Sequence, residues 1–353
     1  MTFTRRDILK TGATVGVGFG LPLGVASRPL GRVLEPMRIK SPHVERFQVS
    51  LPVPPVLKPE HTDETTDYYE LTQRAATTEI LPGYETTIWG YDGVFPGPTI
   101  EARRDREVVI TQKNELPVPV STHLHGGVTP PESDGYPTDL IFPPDLDHDE
   151  IPDHHVAGTV GGVTHGEKEY RYPNGQRPAT LWYHDHRMDF TGPQVYKGLA
   201  GFYIIRDDAE DDLPLPSDER DVPLMIADRT FREDGELYYP SIDPTLLGEP
   251  GVLASTGFRM VSGVFGDTNL VNGAPWPRMD VANAAYRFRI LNASNARAYE
   301  LALSNGAPIV QIGSDGGLLT EPISHDTLVV SQGERFDVIV DFSEYPVGTE
   351  VTL

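Results

Sequence analysis

A chain of 353 residues is long enough for about two domains, each with its own hydrophobic core. Its 52 acidic and 29 basic side chains leave a net charge of −23, which excludes a nucleic-acid backbone as the main partner. There is no cysteine, so disulfides, Cys-ligated zinc, iron–sulfur clusters, thiol catalysis and copper held by a thiolate are excluded for these residues.

The first segment predicted in chain order is an export signal over residues 1–30. Thr4-Arg5-Arg6-Asp7-Ile8-Leu9-Lys10 sets paired arginines before an apolar, Gly-rich run from Thr11 to Val25, which ends in the small residues Ala26 and Ser27. A charged start, a short apolar run and a small-residue exit define a signal peptide, and paired arginines point to the twin-arginine route. The destination expected is extracellular or at the cell surface. The apolar run is short for a membrane-crossing helix, so no integral span is expected once the signal is removed. That route carries folded proteins, often with a cofactor already in place, which is a first pointer to a metal.

Beyond residue 45 the pattern is β. The 34 glycines and 33 prolines punctuate short alternating runs. Tyr286, Phe288 and Ile290 alternate with Arg287 and Arg289; Phe336, Val338, Val340 and Phe342 alternate with Asp337, Ile339 and Asp341. Period two with one polar face predicts strands packed on one side. A faint repeat divides the chain. Tyr91-Asp92-Gly93-Val94-Phe95-Pro96-Gly97-Pro98, a strand from Glu107 to Ile110 and a stop at Asn114 recur as Val271-Asn272-Gly273-Ala274-Pro275-Trp276-Pro277, a strand from Tyr286 to Leu291 and a stop at Asn292. The expectation is an all-β chain of two tandem sandwiches, over 45–207 and 224–353, joined by an acidic, Pro-rich linker over 208–223. The acidic clusters Asp207-Asp208, Glu210-Asp211-Asp212 and Asp218-Glu219 are expected on a solvated surface. The only lysines are Lys10, Lys40, Lys58, Lys113, Lys168 and Lys197, and an acidic, lysine-poor surface is one adapted to molar salt.

The chemistry concentrates in two strings of the first half. Ser121-Thr122-His123-Leu124-His125-Gly126-Gly127 holds one His-x-His, and Trp182-Tyr183-His184-Asp185-His186 holds another. Residues two apart on a strand share a face and lie roughly 6.6 Å apart along it, so each pair aims two imidazoles at one site or at adjacent metals. Neutral imidazole suits copper, zinc, iron and nickel. A zinc hydrolase would carry an Asp-His partner after His125, where Gly126-Gly127 stands and clears space. A cupin would carry a glutamate a few residues on and a later lone histidine, not a second pair.

These strings resemble the first two copper motifs of the multicopper oxidases, and most densely the branch containing spore-coat laccase and bilirubin oxidase. The resemblance runs through Trp89-Gly90-Tyr91-Asp92-Gly93-Val94-Phe95-Pro96-Gly97-Pro98-Thr99-Ile100, Gly126-Gly127-Val128-Thr129-Pro130 and Ser133-Asp134-Gly135-Tyr136-Pro137. It continues in Val222-Pro223-Leu224 with Asp228-Arg229-Thr230, Leu270-Val271-Asn272-Gly273, Tyr286 to Asn295 and Gln311 to Gly317, covering roughly residues 50 to 353.

The resemblance implies tandem cupredoxin-like Greek-key sandwiches or barrels, with half of a trinuclear copper site in the first. It implies His123 as a ligand of the type 2 copper and His125, His184 and His186 as ligands of the type 3 pair. It places Asp134 near the cluster as a proton relay, which dioxygen reduction to water requires. Asp185, on the opposite strand face from the pair around it, is expected to be structural. The second sandwich is expected to carry no copper ligands. The resemblance also implies O2 and a small aromatic or metal-ion reductant as partners. The family's His-x-x-His-x-His and His-Cys-His strings are absent, and with them the type 1 copper site, so the expectation is a truncated or split gene product, or a fragment of a longer protein; in the split case a separate C-terminal cupredoxin domain chain is a partner. Such a chain is predicted to be inactive alone. The alternative is an exported, non-catalytic copper-binding protein.

Between Phe142 and Tyr172 lies a polar stretch with His148, His154, His155 and His165, which share no strand phase and are expected to be an acidic surface insertion rather than a copper-scavenging tract. Asn292-Ala293-Ser294 is a formal glycosylation sequon, but it ends a predicted core strand, so occupancy is not expected.

Overall fold

The computed structural model describes residues 39–146, 162–239 and 263–353; the signal segment lies outside them, as do His148, His154 and His155. The first half supplies β1 (His61–Thr62), β2 (Thr66–Thr78), β3 (Thr86–Tyr91), β4 (Gly97–Arg103), β5 (Glu107–Asn114), β6 (Thr122–His125), β7 (Leu140–Phe142), β8 (Val163–His165), β9 (Glu167–Tyr172), β10 (Ala179–Asp185) and β11 (Ala200–Arg206). Between β10 and β11 runs the short helix α1 (Thr191–Lys197), and after β11 the single turn α2 (Asp208–Asp211). The second half supplies β12 (Asp221–Arg229), β13 (Thr268–Val271), β14 (Ala274–Pro275), β15 (Ala285–Asn292), β16 (Tyr299–Leu301), β17 (Ile309–Ser314), β18 (Gly317–His325), β19 (Leu328–Val330) and β20 (Arg335–Asp341). No helix of the described residues is long and apolar enough to cross a membrane.

Beside a separate parallel pair of β7 and β8, two main sheets build the first half: β1-β2-β5-β9, with β3 also paired to β2, and β4-β11-β10-β6. Their inward faces enclose a core that includes Leu71, Tyr91, Ile100, Val108, Ile110, Leu124, Tyr183 and Tyr203. The second half is built on the seven-stranded sheet β14-β13-β12-β15-β20-β17-β18, with its own core around Leu224, Ile290, Ile309, Val330 and Val338. A third apolar cluster joins Trp182, Ala200 and Phe202 of the first half to Met225, Leu291 and Ala293 of the second. Residues 39–353 thereby pack as one unit.

The sequence repeat has a hydrogen-bonding counterpart. Asp92 and Asn272 both adopt positive φ before a glycine, 55° and 49°, as the two-residue turn between twisted strands requires. Asp92 Oδ1 accepts from Thr72 N (2.9 Å) and Asn272 Oδ1 from Met225 N (2.8 Å), each tying the turn to a neighbouring strand. At the strand ends, Asn114 Oδ1 accepts from Leu116 N and Asn292 Oδ1 from Ser294 N, both at 2.9 Å. Each amide nitrogen then donates to two carbonyls, Val118 and Ile141 in one case, Arg297 and Val330 in the other. Asn292 is fully buried, so its amide is not available to a glycan.

Two sequence expectations are corrected here. Strand β15 is not packed on one side, because Arg287 and Arg289, its polar face, are buried at 2% and 1% exposure. They are covered by acids: Arg287 Nη1 and Arg289 Nη2 both donate to Glu210 Oε1 (2.7 and 3.1 Å), and Arg289 Nε donates to Asp221 Oδ1 (2.8 Å). Glu210 is accordingly buried rather than solvated, held by α2, whose cap Asp207 accepts from Glu210 N. The segment expected to link the halves is thus pinned to β15 at Glu210, and β12 begins inside it at Asp221.

Candidate metal centre

Strands β6 and β10 run antiparallel with His123 opposite His184 and His125 opposite Trp182. Period two then puts His123, His125, Trp182 and His184 on one face, while Leu124 and Tyr183 turn into the core at 1% and 2% exposure. One nitrogen from each of His123, His125 and His184 lies within 4.8 Å of the others, and no other group of this kind occurs among the described residues. His186 follows the end of β10, where its N–H donates to Ser121 O at 2.7 Å. Its ring centroid lies 5.2 Å from that of His123 and 5.6 Å from that of His184. The structure therefore brings all four motif histidines together.

The imidazoles are oriented through their outer nitrogens. His184 Nδ1 donates to Asp185 O (2.8 Å), which leaves Nε2 with its lone pair toward the cluster, 3.4 Å from His125 Nδ1. His123 Nδ1 donates to Asp134 O (2.5 Å). The buried Nδ1 of His186 finds no partner beyond its own backbone. Burial pushes His184 well below the usual imidazole range and lowers His186. His125 is brought down to about 4 by burial, then by the positive charge of Arg335 and by His123. Converging imidazoles kept neutral are the donor set that a borderline-soft metal such as copper takes.

Asp134 stands beside His123, its Oδ1 3.5 Å from Nδ1 and bonded to Thr129 Oγ1 at 3.2 Å, with the carboxylate half-exposed. Gly135 fixes this approach. Its φ is +69°, and a Cβ there would collide with Thr122 O, so only glycine lets this loop lie on β6. Asp185 is fully buried on the other face of β10 and accepts from Ser121 N (3.0 Å) and Arg187 N (3.1 Å). Burial raises its carboxyl to about 7 against those two bonds. It latches the start of β6 to the turn carrying His186, which is a structural task. His165, on β8, is exposed and faces Phe142, outside the cluster.

Three residues around the imidazoles carry no sequence expectation. Trp182 stacks on His184 at 4.1 Å and on His125 at 5.1 Å between centroids, a placement legible in its strand phase two residues before His184. Arg335 and Gly333, far away in sequence, reach His125 from the second half, and no local signal marks them. The space expected beside the ligands at Gly126 is taken by Arg335, whose Nη2 lies 2.6 Å from where a Cβ would stand.

A family model described as Multicopper oxidase matches residues 72–146 and 152–210. The chain is 44% identical to a laccase of Bacillus stratosphericus, over 88% of its own length and 62% of the relative's. It is 33% identical to a bilirubin oxidase of Albifimbria verrucaria, over 92% of its length and 53% of the relative's. The crystal structure of a laccase from Pediococcus acidilactici Pa5930 superposes with a TM-score of 0.73 at 34% identity, covering 88% of this chain and 59% of that one. The chain belongs to the multicopper oxidase family, and its all-β architecture is the cupredoxin fold of those neighbours. It spans less than two thirds of the length of the relatives it matches. Membership implies copper, and the four imidazoles fit it, with the buried Nδ1 of His186 engaging no other residue.

Proposed function

We propose that this chain serves a copper-dependent oxidase of the laccase and bilirubin oxidase type, which couples oxidation of phenols, pigments or metal ions to reduction of O2 to water. The observation that carries the reading is the convergence of His123, His125 and His184 within 4.8 Å on facing strands, with His186 beside them. In this assignment His123 holds the type 2 copper, and His125, His184 and His186 hold the type 3 pair. Bound copper supplies the one-electron redox chemistry that no side chain provides here. The chain's own residues orient and protonate: the carbonyls of Asp134 and Asp185 fix two rings, and the half-exposed carboxylate of Asp134 carries protons between solvent and the face beside His123.

The sequence holds no cysteine, so these residues offer no thiolate for a type 1 copper. A cupredoxin domain outside these residues would have to supply that port before a phenol's electrons could reach copper held by the four histidines, and these residues by themselves do not turn over. Copper retained after dialysis tests the ligand set. Replacing His123, His125, His184 and His186 with alanine abolishes retention, whereas replacing His148, His154, His155 and His165 leaves it intact; the reverse result overturns the assignment. Oxygen uptake with a phenol tests the electron route: activity at ordinary laccase rates without an added domain overturns it. Tight copper binding with no uptake even beside such a domain favours the non-catalytic copper-binding alternative.

The export signal over residues 1–30 belongs to the same proposal and places the protein outside the cell. Arg5→Lys with Arg6→Lys keeps the charge but removes the planar guanidinium, and the precursor stays inside. Normal secretion of that double variant rules out the twin-arginine route.

A further inference from the structure

The second half contributes no imidazole to the cluster, yet one of its turns comes within a side chain's reach of one. The turn Ser331–Glu334 between β19 and β20 is closed by Glu334 N donating to Ser331 O (3.1 Å) and is tied to β15 by Gly333 N donating to Asn292 O (2.8 Å). Arg335, at 2% exposure, anchors the turn to the first half. Its Nη1 donates to Gly333 O (2.8 Å) and its Nε to Thr180 O on β10 (3.0 Å). Asp315 completes the anchor, accepting from Arg335 N at 2.7 Å and pairing with Nη1 at 3.2 Å. The anchored turn leaves no room for a side chain between Gly333 and His125. At Gly333, where φ is +76°, a Cβ would lie 3.2 Å from His125 Cε1, 3.6 Å from Nε2 and 3.8 Å from Trp182 Cζ2.

His125 therefore ends β6 with its ring stacked on Trp182 and with Gly333 so placed that an added Cβ would press on the ring. A histidine ring has two free torsions, and the direction of its lone pairs follows them. Packing against neighbours that cannot move is what fixes that direction for a metal. We propose that Gly333, held in place by Arg335 and Asp315, is a positioning residue for the metal-binding ring of His125, so that residues from the second half set the geometry of a site whose ligands all lie in the first. This rests on the copper reading above.

The test pairs two glycines that share a backbone conformation. Gly306 has φ +74° with nothing within 4 Å of its absent Cβ. Alanine at either position carries the same left-handed strain, but only at Gly333 does the added carbon meet His125. The purified chain, Gly333→Ala and Gly306→Ala are loaded with Cu(II). Affinity is measured by competition with a chelator, the copper environment by electron paramagnetic resonance, and stability by thermal unfolding. Gly333→Ala is expected to weaken copper binding about tenfold or more and to alter the spectrum. Gly306→Ala is expected to match the parent in both while losing similar thermal stability. Should Gly333→Ala fail to fold, Gly333→Asn and Gly306→Asn replace the pair, since asparagine tolerates positive φ. Unchanged affinity and spectrum at Gly333, or equal changes at Gly306, overturn the inference while leaving the copper reading standing. A parent chain that binds no copper overturns both.

Discussion

Arg287 on β15 and Asp337 on β20 form a two-pronged ion pair inside the protein, with Nε donating to Oδ1 at 2.8 Å and Nη2 donating to Oδ2. Both side chains are buried, and they belong to a larger cluster in which Arg287, Arg289 and Arg206 meet Glu210, Asp221 and Asp337. At its outer edge Arg206 also pairs with the more exposed Glu101 at 2.8 Å, so three arginines meet four carboxylates. The cluster also reaches the first half directly, because Arg289 Nη1 donates to Thr180 Oγ1 on β10 at 3.0 Å. A chain of strongly negative net charge thus uses part of its acid to neutralise buried arginines rather than for solvation.

Breaking such a cluster from one side leaves an unpaired charge in a poorly solvated place, which costs about 3–5 kcal/mol. Arg289→Met strips Asp221 and Glu210 of a shared partner and is expected to lower unfolding stability by that amount in urea titration. Arg103→Met, which removes the exposed contacts with Asp208 and Asp211, is expected to change it by about 1 kcal/mol or less. Equal effects would show that the buried cluster has no special energetic weight.

Asp221 gives the same cluster a pH signature. Burial pushes its carboxyl up, but the charges of Arg289, Arg287 and Arg206 outweigh burial and hold it below the ordinary aspartate value. A group depressed on folding contributes stability that is complete above its unfolded pKa of about 4 and disappears as pH falls through the folded value. Asp221→Asn is therefore expected to lower the unfolding midpoint at pH 6 to 7, with the gap to the parent narrowing below about pH 4. A gap that is constant down to pH 3 refutes the assignment.

The turns and strand ends of the repeat allow a paired test. Asn114→Ala and Asn292→Ala each delete three hydrogen bonds to backbone groups, two in the loop that follows and one on a strand distant in sequence, β7 or β19. Each is expected to cost about 1–3 kcal/mol, with the costs adding in the double variant because the sites lie in separate cores. A cost at one position alone would mean that the repeat is not matched in energy.

Much of this architecture is legible in the order of the amino acids. Gly and Pro punctuation and period-two alternation place the strands, and Asp92-Gly93, Asn272-Gly273, Asn114 and Asn292 mark the repeat by chemistry that only certain backbone geometries need. Two His-x-His strings announce the cluster, since strand phase fixes which side chains share a face. What alternation does not encode is what covers a face. Arg287 and Arg289 read as solvated because a polar face on a strand usually is, and Glu210 reads as solvated because it sits among acids. Their burial follows from a contact between segments distant in sequence, as do the approaches of Arg335 and Gly333 to His125.

The state of the imidazoles predicts how copper binding depends on pH. A free histidine, with a pKa near 6.5, is about nine-tenths protonated at pH 5.5 and must release that proton to bind a metal. In the folded chain burial, Arg335 and His123 hold His125 at about 4, and burial lowers His184 and His186 too. A depressed imidazole stays neutral while the unfolded chain takes up protons, so the metal-free protein loses stability as pH falls from about 6.5 toward 4. Copper added to the folded chain at pH 5.5 meets a His125 ring that is already deprotonated, and His184 and His186 rings that carry less proton than free histidines. Calorimetry in buffers of different ionisation enthalpy counts the protons released. The expectation is fewer than one proton for each of these three ligands engaged, whereas nearly one for each would show that the rings titrate as free histidines.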